Sequence, residues 1–365
     1  MKKVIFFIDS LGSGGAQRQV VNVARLLKKA GYDVSVLVYY NMPFYKPMLD
    51  ENDIPVTLIE TKSNISRMFG IRKYLNQSGA DAVIAFLETP CFISCFSKIG
   101  HKKWKLITTE RSAKMSTFTS RRNRIFNIFE RFSDAKVGNS NNAIRMWQKY
   151  YPQYNDKYSV IYNHILVPDE YVSYEHEYRA DGKIHLAVAA SYQGLKNPIS
   201  VIEAVNMLSD EQKVKLEINW YGNVEATRGN TEVFDTAVQM VKDYNLNDVV
   251  HLNRETGEIY RIMSQSDAVG LFSTVEGLPN TICEAMTIGR PVVMSKVSDY
   301  DVLVTDNGYL CDPNSVESIK EALLKLIETP KEELERMGEA SKEKAKKLFS
   351  GEAITRQWID LIESI

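Results

Sequence analysis

The stretch STVEGLPNTICEAM, residues 273–286, sets Glu276 and Glu284 on either side of Gly277, Leu278, Pro279 and Asn280. The apolar run before it, residues 268–272, reads as a buried strand, and Gly289 and Pro291 mark the exit of a helix over about residues 281–287. EGLPN is then a strand-to-helix turn. Its backbone N–H groups and the helix N-terminus form an anion site. Gly277 lets a ligand approach the backbone closely, and Pro279 fixes the turn. Glu284, expected in the first helical turn, points back toward the same ligand. Carboxylates accept well from diols and are poor partners for phosphate. The pattern suits a molecule with phosphates in its middle and hydroxyls at both ends. A nucleotide-sugar fits, with its diphosphate on the amides, its ribose on Glu284 and its sugar hydroxyls near Glu276. Thr281 and Glu284 also have the spacing of a capping box, and the two roles can coexist.

Working outward, short apolar runs alternate with amphipathic helical patterns. Residues 4–8, 34–39, 82–86 and 105–109 read as strands. Residues 19–29 read as a helix with Val20, Val23, Ala24 and Leu27 on one face and Gly31 as its stop. The rhythm pauses over residues 160–183, polar and tyrosine-rich, which read as the interdomain link. It restarts with strands at 184–189, 215–221, 249–252, 268–272 and 291–294 and a helix at 198–208, and ends in charged helix after Pro330. This is the βαβ signature of parallel sheets covered on both faces. The 365 residues exceed one ordinary core. The fold class expected is α/β, with two Rossmann-like doubly wound domains facing across a cleft. The domains are residues 1–165 and 166–345, and residues 346–365 form a C-terminal helix packing back on the first.

Composition narrows the function. A formal net charge of −1 carries no global field for nucleic acid, and none is expected as a partner. Cys91, Cys95, Cys283 and Cys311 form no CxxC pair and fit a reduced, cytoplasmic protein. The five-residue apolar run at 4–8 is too short for a signal peptide or a membrane span.

EGLPNTICEAMTIGRPVV, residues 276–293, resembles the E-x7-E segment of retaining glycosyltransferases of the GT-B fold, family 4. Residues 11–37 (LGSGGAQRQVVNVARLLKKAGYDVSVL) look like that family's first loop and helix. Residues 137–147 (VGNSNNAIRMW) and 160–165 (VIYNHI) match its late N-domain and linker phrases, and 196–205 (KNPISVIEAV) matches the helix after its phosphate-binding lysine. The resemblance implies a hexosyltransferase-type, retaining enzyme with no cofactor and no metal. It implies a nucleotide-sugar donor, a UDP-sugar, in the C-terminal domain, and a glycan or lipid-linked glycan acceptor in the N-terminal one. It places Lys196 on the diphosphate and Glu276 on the donor sugar as catalytic residues. Gly277, Leu278, Pro279, Asn280, Thr281, Glu284, Arg254 and Gly222 fall on the donor side. Where the family has an arginine five residues before Lys196, this chain has Ser191, which carries no charge. Arg254 either substitutes for it or lies near the base.

Gly14, Gly15 and Gln17 follow the first strand, and Gln17 occupies the place of the last glycine in GxGxxG. The second strand ends in Tyr39 and Tyr40 with no acid for a ribose, so a nicotinamide cofactor is not expected. By family analogy this loop faces the donor phosphate or the acceptor; otherwise it is a tight turn. Glu110 and Arg111 sit where some family members carry a histidine. Glu110 either accepts the acceptor's proton or pairs with Arg111. The DxD of Asp299 and Asp301 reads as a loop, and the histidines show no HxxxH ligand spacing.

Residues 101–131 hold nine Lys/Arg against two acids, a local +7. Within them, residues 120–132 set Ile125, Phe126, Ile128, Phe129 and Phe132 at helical spacing beside arginines. Such a helix lies on an anionic bilayer or turns its apolar side into the core. With the first reading, the resemblance to enzymes that extend lipid-linked glycans implies a cytoplasmic protein peripheral on the inner face of the cell membrane. Two rival functions remain. A nucleotide-sugar epimerase of the same shape would need acid–base groups and no acceptor, and the E-x7-E phrase speaks against it. A non-catalytic nucleotide-sugar-binding subunit is favoured by Ser191 alone.

Overall fold

The computed structural model describes residues 1–100, 103–112, 114–225 and 229–365. His101 and Lys102, counted among the histidines and bases above, lie outside the described residues. The chain divides into two compact units, Met1–His164 with Ser350–Ile365, and Ile165–Phe349.

The N-terminal unit holds seven parallel strands: β1 (Lys3–Phe7), β2 (Asp33–Val38), β3 (Val56–Leu58), β4 (Ala82–Ala85), β5 (Lys105–Glu110), β6 (Ala135–Gly138) and β7 (Tyr158–Val160). Their order is β3-β2-β1-β4-β5-β6-β7. Val4 to Phe7 are fully buried, because a parallel strand covered by helices on both faces has no solvent side and so reads as an unbroken apolar run. The Gly15–Lys29 helix buries Val20, Val21, Val23, Ala24 and Leu27, and Gly31 at φ +92° ends it in a left-handed turn. The last helix, Gly351–Ser364, returns to this unit. Its Glu363 accepts from Lys2 Nζ at 2.5 Å and from Tyr32 Oη at 2.8 Å.

The C-terminal unit holds six parallel strands: β8 (Ile184–Ala189), β9 (Leu216–Gly222), β10 (Val250–Arg254), β11 (Ala268–Leu271), β12 (Val292–Ser295) and β13 (Gly308–Cys311), ordered β10-β9-β8-β11-β12-β13. Its core centres on Trp220, Tyr192, Ile202, Phe272 and Leu323. In both units the strand order reverses once, between β1 and β4 and between β8 and β11. That is the topological switch point, outside whose carboxyl ends α/β sheets bind ligands.

Three expectations need correction. The charged tail is two helices, Lys331–Phe349 and Gly351–Ser364, separated by Ser350, whose hydroxyl accepts from Ala353 N and caps the second. The stretch read as periodless begins with the end of β7 and holds a short helix, Asp169–Val172. The basic helix Arg121–Ile128 buries neither its isoleucines nor its arginines. Asn123 and Asn127 face inward, where their amides donate to Glu88 and to the carbonyls of Ser116 and Thr117. Ile125 and Ile128 stand 57% and 54% exposed among Arg121, Arg122 and Arg124. Only the phenylalanines turn in: Phe126 stacks on Phe92, and Phe129 and Phe132 pack against the core.

Candidate active site

The residues expected to carry chemistry in the C-terminal unit converge on its switch point. Lys196 follows β8, at the end of a tight turn, Gly194–Lys196. Asn197 after it takes a left-handed φ of +67° and is anchored by its amide on the Pro313 carbonyl at 2.8 Å. Glu276 follows β11. Lys196 Nζ and Glu276 Oε1 meet at 2.5 Å across the switch, 80 residues apart in sequence. Both side chains keep some exposure, 21% and 14%, so a ligand can reach them. Ser273 Oγ donates to the same Glu276 oxygen at 2.7 Å, and Thr274 N donates to the Leu195 carbonyl at 2.8 Å, which ties the two loops together. Ser298, itself at φ +56°, donates to the Gly277 carbonyl, and Ser295 Oγ donates to the Ser273 carbonyl at 2.6 Å. The EGLPN turn is thus held from two sides, which preorganises it.

Helix Asn280–Ile288 starts on Pro279, with no side-chain cap and no acid in its first turn. First-turn amides have no intrahelical acceptor, so this end is electropositive. The capping-box alternative fails: Thr281 is already inside the helix, and its hydroxyl donates to the Ala189 carbonyl at 3.1 Å, tying the helix to the end of β8. Glu284 is correspondingly in the second turn, not the first. It is half-buried, and Tyr260 Oη donates to it at 3.4 Å. Leu278 and Pro279 are buried beneath the turn. The strand read at 249–252 would leave Arg254 in the loop after it, but the strand spans Val250–Arg254. Arg254 is the last residue of β10, exposed, and opposite Gly222 in register. Gly222 packs on the backbone after β8: a Cβ there would lie 2.0 Å from the Ala190 oxygen, so only glycine fits. Arg254 ends β10 and Ser191 follows the end of β8, with β9 between the two strands, a spacing of about 10 Å between those strands. In the DxD stretch Asp299 is fully buried and precedes the short helix Tyr300–Leu303, which is the loop reading. Among the described residues no group of three or more His, Cys, Asp or Glu is placed to hold a metal ion.

In the N-terminal unit, Gly14 precedes the Gly15–Lys29 helix, which has no side-chain cap and no acid in its first turn. Gln17 folds back over Gly14, and its amide donates to Asp9 Oδ1 at 3.0 Å. Glu110 and Arg111 lie together after β5 but do not pair. Glu110 is buried and accepts from Trp147 Nε1, Ser112 N and Ser112 Oγ, each at 3.0 Å. Arg111 turns to Asn163, donating through Nη1 at 3.1 Å, and stacks 4.5 Å over Phe86.

Residues 175–344 match the family model described as glycosyl transferases group 1, and residues 13–165 match the one described as Glycosyltransferase Family 4. The chain belongs to the GT-B glycosyltransferases of the family 4 type. An uncharacterized glycosyltransferase of Haemophilus influenzae is 25% identical over 353 residues, 90% of this chain and 92% of that protein. From Campylobacter jejuni, GalNAc-alpha-(1->4)-GalNAc-alpha-(1->3)-diNAcBac-PP-undecaprenol alpha-1,4-N-acetyl-D-galactosaminyltransferase is 25% identical over 303 residues, 78% and 77% of the two chains. The structure of HepE from Anabaena, solved with UDP, matches over the full length of both chains with a TM-score of 0.81 at 18% identity.

In this glycosyltransferase several residues that position the site escaped the sequence reading. Asp9, Ser273, Tyr260 and Ser298 each hold a named candidate, and Trp147 and Asn163 hold Glu110 and Arg111. Of these, only Asp9 had a sequence signal, as a polar residue ending the first apolar run.

Proposed function

We propose that the enzyme is a retaining, metal-independent transferase. It moves a sugar from a UDP-sugar to a hydroxyl of a glycan or lipid-linked glycan, in bacterial surface polysaccharide assembly. The observation that carries this reading is the meeting of Lys196 and Glu276 beside the open N-terminus of Asn280–Ile288. The donor diphosphate takes the turn amides and Lys196, which exchanges its carboxylate partner for a phosphate oxygen. Glu276, still held by Ser273, turns to the sugar and steadies charge near its ring. Glu284 takes the ribose, and Arg254, on the far side of β9 from Ser191, serves the base end. The acceptor attacks from the face the diphosphate leaves, with no covalent intermediate. The undecaprenol-linked glycan named for the Campylobacter relative and the UDP held by HepE support the acceptor and donor classes.

A thermal-shift titration with UDP, GDP, ADP and their sugar conjugates tests it. Ligand at ~100 times its dissociation constant stabilises by about 2.7 kcal/mol, a shift of several degrees. The expected result is a shift with UDP or its conjugates that disappears in Glu284→Ala while that variant still melts cooperatively. An equal shift in both proteins would remove the ribose role, and no shift with any nucleotide would sink the donor assignment.

The exposed Ile125 and Ile128 among three arginines also favour an anionic membrane as a partner, since apolar side chains ringed by cations suit the interface of an anionic bilayer. No helix among the described residues is long and apolar enough to cross a bilayer, so contact would be peripheral, at the inner face of the cell membrane. Wild-type protein should co-sediment with phosphatidylglycerol vesicles and not with phosphatidylcholine vesicles. The double variant I125E/I128E should lose most of that binding. Undiminished binding by the variant would leave the helix without a membrane role.

A further inference from the structure

Arg111 is half-buried, and among the described residues no carboxylate hydrogen-bonds its guanidinium. Its Nη1 is committed to Asn163, and its ring-side face to Phe86. Its Nε and Nη2 are buried and have no hydrogen-bond partner among the described residues. The adjacent Glu110 acts on it through space but fills none of its N–H groups, because its oxygens accept from Trp147 and Ser112. Burial pushes the guanidinium down to about 10, so it is still charged at neutral pH. Nε–H and Nη2–H point the same way, and together they are the edge of a guanidinium that binds both oxygens of a carboxylate or phosphate. A cation desolvated to this degree is costly unless paired. Here the unpaired part is the side-on edge, one of the two with bidentate geometry.

The surroundings match. Asn139, only 4% exposed, donates through Nδ2 to the Arg111 carbonyl at 3.4 Å, and its Oδ1 is buried with no partner among the described residues. An unfilled acceptor on a side chain bonded to the Arg111 backbone, together with the unfilled fork, is the complement of an anionic group carried near a hydroxyl. Asn163, which aims the fork, precedes His164, and Gln19 of the Gly15–Lys29 helix clamps the His164 backbone through both N and O at 3.0 Å. The fork is therefore anchored to the helix that begins at Gly14 and Gly15, at the carboxyl end of the sheet.

We infer that Arg111 is the oxyanion fork of the acceptor subsite, built to take a phosphate or carboxylate borne by the acceptor close to a hydroxyl. This rests on the glycosyltransferase reading above and adds a substrate class to it: an anionic acceptor. The same chemistry could come from the donor's diphosphate, and the test separates the two.

Full-length wild type, R111K and R111Q are titrated calorimetrically with UDP alone, then with glucose 1-phosphate and inorganic phosphate in saturating UDP, so that the donor site is filled. Lysine keeps the charge and loses the fork, so R111K carries the comparison if R111Q does not fold. The expected result is binding of glucose 1-phosphate to the UDP-saturated wild type, at least tenfold weaker in R111K, with UDP affinity unchanged within twofold. A fall in UDP affinity in R111K would assign the fork to the donor and overturn the inference. Equal binding of the phosphates by wild type and R111K, or by neither, would overturn it as well. Absence of UDP binding by the wild type would instead strike at the donor reading, and so is distinguishable.

Discussion

Replacing Lys196 by alanine should lower kcat by about 10²–10³, the loss seen when one group stabilising a developing oxyanion is removed, while the protein melts within a few degrees of wild type. The two effects separate for a physical reason. The Lys196–Glu276 pair is partly solvent-exposed, and such pairs contribute about 1 kcal/mol or less to folding. Against a departing diphosphate in a site closed to water, the same ammonium acts at low dielectric, where its charge is felt far more strongly. Glu276→Gln provides the sign test. It frees Lys196 from a competing carboxylate, so UDP should bind more tightly, by up to about fivefold for about 1 kcal/mol of released pairing. Transfer should nonetheless fall, because the amide that replaces the carboxylate carries no charge to steady the sugar. Product formation and UDP titration on both variants decide it. If both turn over near the wild-type rate and both lose the same few degrees of melting temperature, the pair is a strut between two loops and the catalytic assignment is wrong.

That pair also shows where the sequence stops informing. The parallel strands β1, β8 and β11 were readable because burial on both faces leaves an apolar run. The Asn280–Ile288 helix was readable because Gly289, at φ +87°, closes it. Both are local signals. The contact of Lys196 with Glu276 is not local: it exists because β8 and β11 are neighbours at the switch, a property of the whole sheet. Strands β3, β7 and β13, of three or four residues, are too short to show a period. In β13 the glycine that looks like a turn is a packing requirement, since a Cβ on Gly308 would lie 1.9 Å from the Val292 oxygen. The Arg121–Ile128 helix misleads in the other direction. A helical wheel turns isoleucine inward, but Asn123 and Asn127 satisfy buried carbonyls and Glu88 there. Leaving those groups unpaired would cost more than exposing two isoleucines.

Lys136→Met should be the most destabilising single change in the N-terminal unit, by about 3–5 kcal/mol, the cost of removing one partner of a buried ion pair. Lys136 and Glu130 are 2% and 4% exposed and 3.2 Å apart, and the Thr108 hydroxyl also donates to Glu130. Lys136 Nζ lies 3.9 Å over the ring of Trp147, whose Nε1 in turn holds Glu110. The variant leaves a carboxylate in the core with no cation. At 2–4 °C per kcal/mol for a unit of this size, its calorimetric transition should drop by roughly 10 °C, with the transition of the Ile165–Phe349 unit unmoved. The double variant K136M/E130L should recover most of the loss, because an apolar pair of similar volume needs no desolvation. The pH dependence has a definite sign. Burial, the largest single influence, lowers the Lys136 pKa, but Glu130, Cys91 and Glu110 together outweigh it, so the net shift is upward. A base with a raised folded-state pKa stabilises fully below its unfolded value, near 10.4, and loses that contribution only as pH rises through the higher folded value. The deficit of Lys136→Met should therefore be the same at pH 6 and pH 8. If the double variant melts as low as the single one, the cost lies in the packing of Trp147 and not in the stranded charge.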